Sequence, residues 1–143
     1  MRWMMGMLLG LLAGLATGRL TAADLRASKP EVKKEIVTVI EGQLGAFRAG
    51  DVMKAYNFAA LSLRQQMPLR TFVSVVQANY PEIWANTGAD CGIVRDDGTR
   101  ATVLVHVSAK QGDAAFDYVL LRERAGWKIG SVVRHVARKK DGV

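Results

Sequence analysis

The side chains able to do chemistry in this chain are few: Tyr56, Asn57, Tyr80, Cys91, His106, Asp117, Tyr118 and His135. A pocket enzyme needs an acid or base that titrates near neutrality, within hydrogen-bonding reach of its substrate. Of these residues only the two histidines titrate there unaided. They stand on different segments, with no third clear ligand and no paired carboxylates nearby. Zinc takes three or four protein ligands, so no metal site is expected. Asp96-Asp97-Gly98 looks like the start of a calcium loop, but the later oxygen ligands are missing and a hairpin turn explains it better. One cysteine in 143 residues excludes an internal disulfide and any Cys-rich zinc module. No cofactor is expected either.

The elements that must position these residues begin after an address. Residues 1–23 start Met-Arg, run apolar from Trp3 to Ala16 broken only by glycine, and end Thr17-Gly18-Arg19-Leu20-Thr21-Ala22-Ala23. A basic start, a short apolar run and small residues at the end make a signal peptide, with cleavage expected after Ala23. The run is short of the about 20 residues that span a bilayer, which puts an uncleaved anchor second. The expected address is therefore secreted or periplasmic, where Cys91 reads as a buried thiol. The segment holds two of the 20 Lys and Arg and no acid, leaving 18 against 13, a net charge of +5. That leaves residues 24–137 as one domain and 138–143 as a basic tail.

Within the domain the hydrophobic period changes once. Ser28-Lys29-Pro30-Glu31 has capping-box spacing, and Val32, Ile36, Val39, Ile40, Gln43, Leu44 and Phe47 then recur as one face of a helix of about 18 residues. Gly50 stops it. Asp51 is placed to cap a second helix carrying Val52, Ala55, Tyr56, Ala59 and Ala60. A third runs from Pro68 to Asn79, with Leu69, Phe72, Val73, Val75 and Val76 inward, until Pro81 ends it. From Cys91 the period is two. Strands are expected over 91–95, 100–108, 114–124 and 127–136, turning at Asp96-Asp97-Gly98, Gln111-Gly112-Asp113 and Ala125-Gly126. Three helices followed by an antiparallel meander is an α+β domain.

A resemblance lies in these same segments. Val39-Ile40-Glu41-Gly42-Gln43-Leu44-Gly45-Ala46-Phe47-Arg48-Ala49-Gly50-Asp51, then Ala55-Tyr56-Asn57-Phe58-Ala59, resembles a bacterial domain-of-unknown-function family in the nuclear-transport-factor-2-like superfamily. Arg64, Phe72, Tyr80-Pro81 and Trp127-Lys128-Ile129 continue the pattern, which spans about residues 35–133. Relatives place a proline that breaks the second helix where this chain has Ala60-Leu61-Ser62. The resemblance implies a curved sheet wrapped around the helices into a cone that can hold a cavity. It assigns no activity. Many superfamily members pair as dimers through the sheet.

Strand parity sorts the candidates. Ala101, Val103, Val105 and Val107 form the core face of their strand, which turns Thr102, Leu104, His106 and Ser108 outward. Phe116, Tyr118 and Leu120 face the helices with Trp127 and Ile129, so Asp117 and Glu123 point away. The sheet then gives a cavity Tyr118 and Ser131, but no carboxylate, and no histidine except His135 near a strand end. The expected lining is Phe47, Tyr56, Phe58, Phe72, Tyr118 and Trp127, suited to a small, mainly apolar ligand. These residues favour a non-catalytic binding or interaction module. The alternative is a cavity enzyme using Tyr56 or Tyr118 as hydrogen-bond donor, of the isomerase, dehydratase or hydrolase type that the superfamily resemblance implies. On the outer face, Leu104, Val119, Leu121 and Val132 form an apolar patch beside Thr102, Asp117, Glu123, Lys128 and Arg134. It suits a homodimer or another envelope protein. Neither Lys29, Lys33 and Lys34 nor Arg134, Arg138, Lys139 and Lys140 interleave with aromatic residues, so nucleic acid is not an expected partner. Weak contact with anionic lipid headgroups is the most these clusters support.

Overall fold

Pro30 cannot donate a hydrogen bond and so fits the first turn of a helix. In the computed structural model, which describes residues 24–136, it opens α1 (Pro30–Arg48). The expected signal segment, residues 1–23, and the expected basic tail lie outside the described residues. The expected capping box does not form. The residue before a proline is driven to extended backbone, so Lys29, with ψ 154°, becomes the N-cap and makes no side-chain cap bond. Ser28 stays beside the sheet: its N–H donates to the Val94 carbonyl at 2.9 Å and its hydroxyl to the Asp96 carboxylate.

The apolar stripe of α1 buries Ile36, Ile40, Gln43, Leu44 and Phe47. Gly50 reverses the chain at φ +73°, and the Asp51 carboxylate accepts the Lys54 N–H at 3.1 Å to cap α2 (Val52–Asn57). That helix is shorter than its apolar pattern predicts. Ala59 and Ala60 leave it because the last strand takes their backbone: Ile129 N–H donates to Phe58 O at 2.9 Å and Ala60 N–H to Ile129 O at 2.8 Å. No proline is needed to end it. Both alanines are fully buried, and their small side chains let the two backbones meet. A helix absent from the expected set follows, α3 (Leu61–Gln66), and then α4 (Leu69–Asn79). Pro81 ends α4 as expected and also starts a single turn, α5 (Pro81–Trp84).

The sheet is antiparallel, open and ordered as the chain runs: β1 (Arg26–Ala27), β2 (Asn86–Asp96), β3 (Arg100–Ala109), β4 (Ala114–Glu123) and β5 (Gly126–Arg134). The α+β reading holds, with β1 added ahead of the helices and β2 starting at Asn86 instead of Cys91. Residues 86–90 carry glycine and no alternation, so their pairing with β3 comes from the neighbouring strand and not from their own pattern. The inward sets of β3 and β4 are buried as parity requires.

Parity fails once. The register steps from Leu120↔Ile129 to Val119↔Ser131, leaving Gly130 as the extra residue of a bulge. A bulge reverses the faces beyond it. Val132 therefore sits opposite Tyr118, packed against the core, and not on the outer patch with Leu104, Val119 and Leu121. A Cβ on Gly130 would lie 3.0 Å from the Leu121 side chain, which would have to give way to it.

Helices and sheet are keyed together by Asn86, a buried amide with every polar atom engaged. Its Nδ2 donates to Leu44 O at 3.0 Å and Ile83 O at 2.8 Å, and its Oδ1 accepts from Arg48 Nη1 at 2.6 Å. Among the described residues no helix is long and apolar enough to cross a membrane. Removing the Asn86 amide takes away all three hydrogen bonds of this join. Asn86→Ala is expected to cost about 3 kcal/mol, read in urea denaturation as a lower midpoint with an unchanged slope.

Candidate functional site

Where the Phe58–Ala60 segment turns away from β5, the helices and the strand leave a cleft of about 350 Å³. Gln43 and Phe47 of α1 make its floor. Leu63, Gln66 and Met67, from α3 and the residue after it, make one wall, and Phe72, Val75 and Val76 of α4 with Tyr80 and Ile83 another. The third side is β5 itself, from Ile129 through the bulge to Val132. The bulge that moves Val132 inward is thus what adds that side chain to the cleft.

Each wall is held by a specific bond. The Tyr56 hydroxyl lies 2.8 Å from Met67 O and 3.1 Å from Arg64 O, clasping the end of α3 while its ring leans on Phe72, centroid to centroid 5.2 Å. The start of α3 is fixed by Leu61 N–H donating to Glu123 Oε2 at 2.7 Å, and Arg64 Nε donates to Ala59 O. Tyr80 packs on Phe116 and donates its hydroxyl to Val132 O at 2.9 Å, tying α4 to β5. Arg134 continues that tie, with Nη2 3.0 Å from Glu82 Oε1. Its guanidinium holds the Glu82 carboxyl below the usual range.

The lining contains no Asp, Glu, Lys, Arg or His. Its polar side chains are Gln43, buried at the floor, and exposed Ser62 and Gln66 at the mouth; Ser131, expected to face the cavity, is turned by the bulge to the outer face opposite Val119. The aromatic candidates separate. Phe47 and Phe72 share the cleft, stacked with centroids 6.1 Å apart. Tyr56 backs Phe72 with its hydroxyl committed to backbone. Phe58 and Trp127 border a different, more open groove among Lys34, Glu35, Arg122 and Lys128, where the Arg122 guanidinium lies 5.6 Å from the Trp127 ring centre. Tyr118 lines neither; it is fully buried, and its hydroxyl has no partner among the described residues. Burial raises its pKa well above the tyrosine range.

Leu63, Gln66, Met67, Ile83 and Val132 are among the lining residues that sequence reasoning missed. Leu63 and Met67 are four apart, the one sequence sign of a short amphipathic turn there. The phase of Val132 had no such sign.

The titratable candidates lie elsewhere. His135 Nδ1 is 2.9 Å from Asp117 Oδ2 at the surface, and exposed His106 pairs in register with Asp90. Cys91 packs against the core, and its pKa is pushed up to about 11 by burial, helped by Glu41 and Asp90. At neutral pH it is a thiol and a poor nucleophile. Among the described residues no three His, Cys, Asp or Glu stand together as a metal-holding group.

The outer sheet face carries half-buried Leu104, Val119 and Leu121, with Ile93 and Val133 exposed at 64% and 59%. By register, Asp90 and Asp117 lie toward one end of the strands, and Arg95 and Arg100 toward the other. Glu123, at the basic end, is turned over the edge to Leu61.

An unpartnered hydroxyl in a core costs free energy, whereas a donor used on substrate or water keeps its value. Tyr118→Phe is expected to raise stability by about 1 kcal/mol, seen as a higher thermal midpoint with an unchanged fold by NMR. A lower midpoint would show that the hydroxyl has a structural partner.

Residues 29–142 match a family model described as a domain of unknown function, DUF4864. No curated protein and no solved structure matches the chain. The matched span takes in all five helices, the cleft between them and β5, and every strand but the short β1, and on that coverage the chain belongs to the DUF4864 family.

Proposed function

We propose that the domain is a non-catalytic binding module whose cleft takes one small, mainly apolar molecule. The observation that carries this reading is the lining: three aromatic rings and a ring of aliphatic side chains, with no charged residue and no histidine. Clefts that hold small ligands are largely apolar with a few polar groups to set orientation, and about 350 Å³ is at the small end of their range. The rival, a cavity enzyme working through tyrosine donors, is less well supported. The hydroxyls of Tyr56 and Tyr80 are occupied by backbone carbonyls, and that of Tyr118 is sealed away from the cleft.

The same reading places the protein outside the cytoplasm, secreted or periplasmic, on the layout of residues 1–23. It keeps the domain in the nuclear-transport-factor-2-like superfamily, supported by the element order, helices first and then a meander laid over the long first helix. Filling the cleft tests the binding role. Val75 is half-buried on the α4 wall, so Val75→Trp is expected to leave the circular dichroism spectrum unchanged and to abolish binding of apolar probes such as octanol, measured by calorimetry. Unchanged probe affinity in that variant would overturn the reading.

The outer sheet face supports a second role, pairing with another copy. Its apolar residues share rows with charged ones, Leu104 beside Asp117 at the acidic end and Leu121 beside Arg100 at the basic end. A two-fold axis lying in the interface and running across the strands sets Asp90 and Asp117 of one copy toward Arg95 and Arg100 of the other. Leu121→Lys is expected to shift the protein from dimer to monomer in analytical ultracentrifugation while it stays folded. An unchanged sedimentation coefficient would remove this reading.

A further inference from the structure

Position 43 lies in the apolar stripe of α1, between Ile40 and Leu44 on one side and Phe47 on the other, where an aliphatic residue would ordinarily stand. Gln43 is 4% exposed. Burying an amide in such a place is unfavourable unless both of its polar ends are hydrogen-bonded. Asn86, the other buried amide of the described residues, meets that condition in full, with three bonds. Gln43 meets half of it. Its Nε2 donates to Ala55 O at 3.0 Å, which fixes the amide, since rotating it would set two oxygens against each other. Oε1 has no hydrogen-bond partner among the described residues. It is also not sealed in, unlike the buried, unpartnered Tyr118 hydroxyl and Trp127 Nε1. The little surface Gln43 retains opens on the cleft it lines.

Resting on the reading of the cleft as a binding site, we infer that it selects an uncharged, apolar molecule bearing a hydrogen-bond donor, a hydroxyl or an N–H, which bonds to Gln43 Oε1. An amide oxygen only accepts. A ligand that offers an ether or carbonyl oxygen sets acceptor against acceptor at the floor. A carboxylate fares worse, because the lining holds no cation to offset its loss of water. Ser62 and Gln66 can adapt to either kind of group, but they stand at the exposed mouth, where water competes. The floor therefore decides. At roughly 30 Å³ for each water-sized group, the cleft has room for about a dozen such groups, the size of a medium-chain alcohol or a two-ring phenol.

The test titrates the wild-type protein with octanol, octyl methyl ether and octanoate at neutral pH, by calorimetry and by NMR of the Gln43 side-chain amide. Octanol is expected to bind at least about fivefold more tightly than the ether, the effect of one neutral hydrogen bond. Octanoate is expected to be weakest, and only octanol should move the Gln43 amide signal strongly. In Gln43→Met, octanol should fall to the affinity of the ether, with the ether itself unchanged. Equal binding of octanol and ether by the wild type, or a preference for octanoate, overturns donor selection while leaving the cleft a binding site. Binding of none of the three overturns the cleft reading together with this one. The wild-type series stands alone if Gln43→Met does not fold.

Discussion

Two backbone hydrogen bonds join Ile129 to the Phe58–Ala60 segment, and most of what distinguishes this domain is arranged around them. A strand at a sheet edge presents donors and acceptors that must be paired or covered. Here the chain covers its own last strand with the stretch between two helices. That requirement overrides the helical preference of Ala59 and Ala60, ends α2 three residues early and starts α3. It also reaches only one residue of β5. Beyond Ile129 the strand bulges at Gly130, and the segment diverges into α3, so helix and strand part and the cleft opens between them.

The parting is stable because its margins are hydrogen-bonded across it. Tyr56 holds the far end of α3, Tyr80 joins α4 to Val132, and the Glu82–Arg134 pair closes the outer end. All three hydrogen-bond across the margins of the cleft. An apolar hollow in a core ordinarily collapses or costs stability. A hollow framed by bonds at its rim resists collapse, and its lining keeps apolar surface that a ligand can cover.

Asn86 and Gln43 show the same side chain chemistry used in two ways. The first is a structural key, with all of its capacity spent on the ends of α1 and α5 and on Arg48. The second spends one end on Ala55 and keeps the other for the cleft. A fully satisfied buried amide specifies packing, whereas a half-satisfied one specifies a partner. The outer sheet face, with apolar residues beside charges of both signs, is a separate surface.

What the amino-acid order determined by itself is the local material: the long α1 with its stripe, the Gly50-Asp51 junction, the α4 face, three hairpin turns, and the alternation of β3 and β4. These follow from side-chain period and turn chemistry, which act over a few residues. The cleft was legible only in part, as Phe47 and Phe72. Tyr56 has the expected place near it but acts as a clasp, while Phe58, Trp127 and Tyr118 fall in another groove or in the sealed core. Tertiary structure decided the rest. The end of α2 depends on an edge strand about 70 residues away. The face of Val132 depends on one inserted glycine, which no alternation rule can detect, and the meaning of Gln43 depends on a carbonyl twelve residues on taking one end of its amide. Each is a contact between segments that are distant or differently folded. Period and propensity carry no information about such contacts until the backbone brings the partners together.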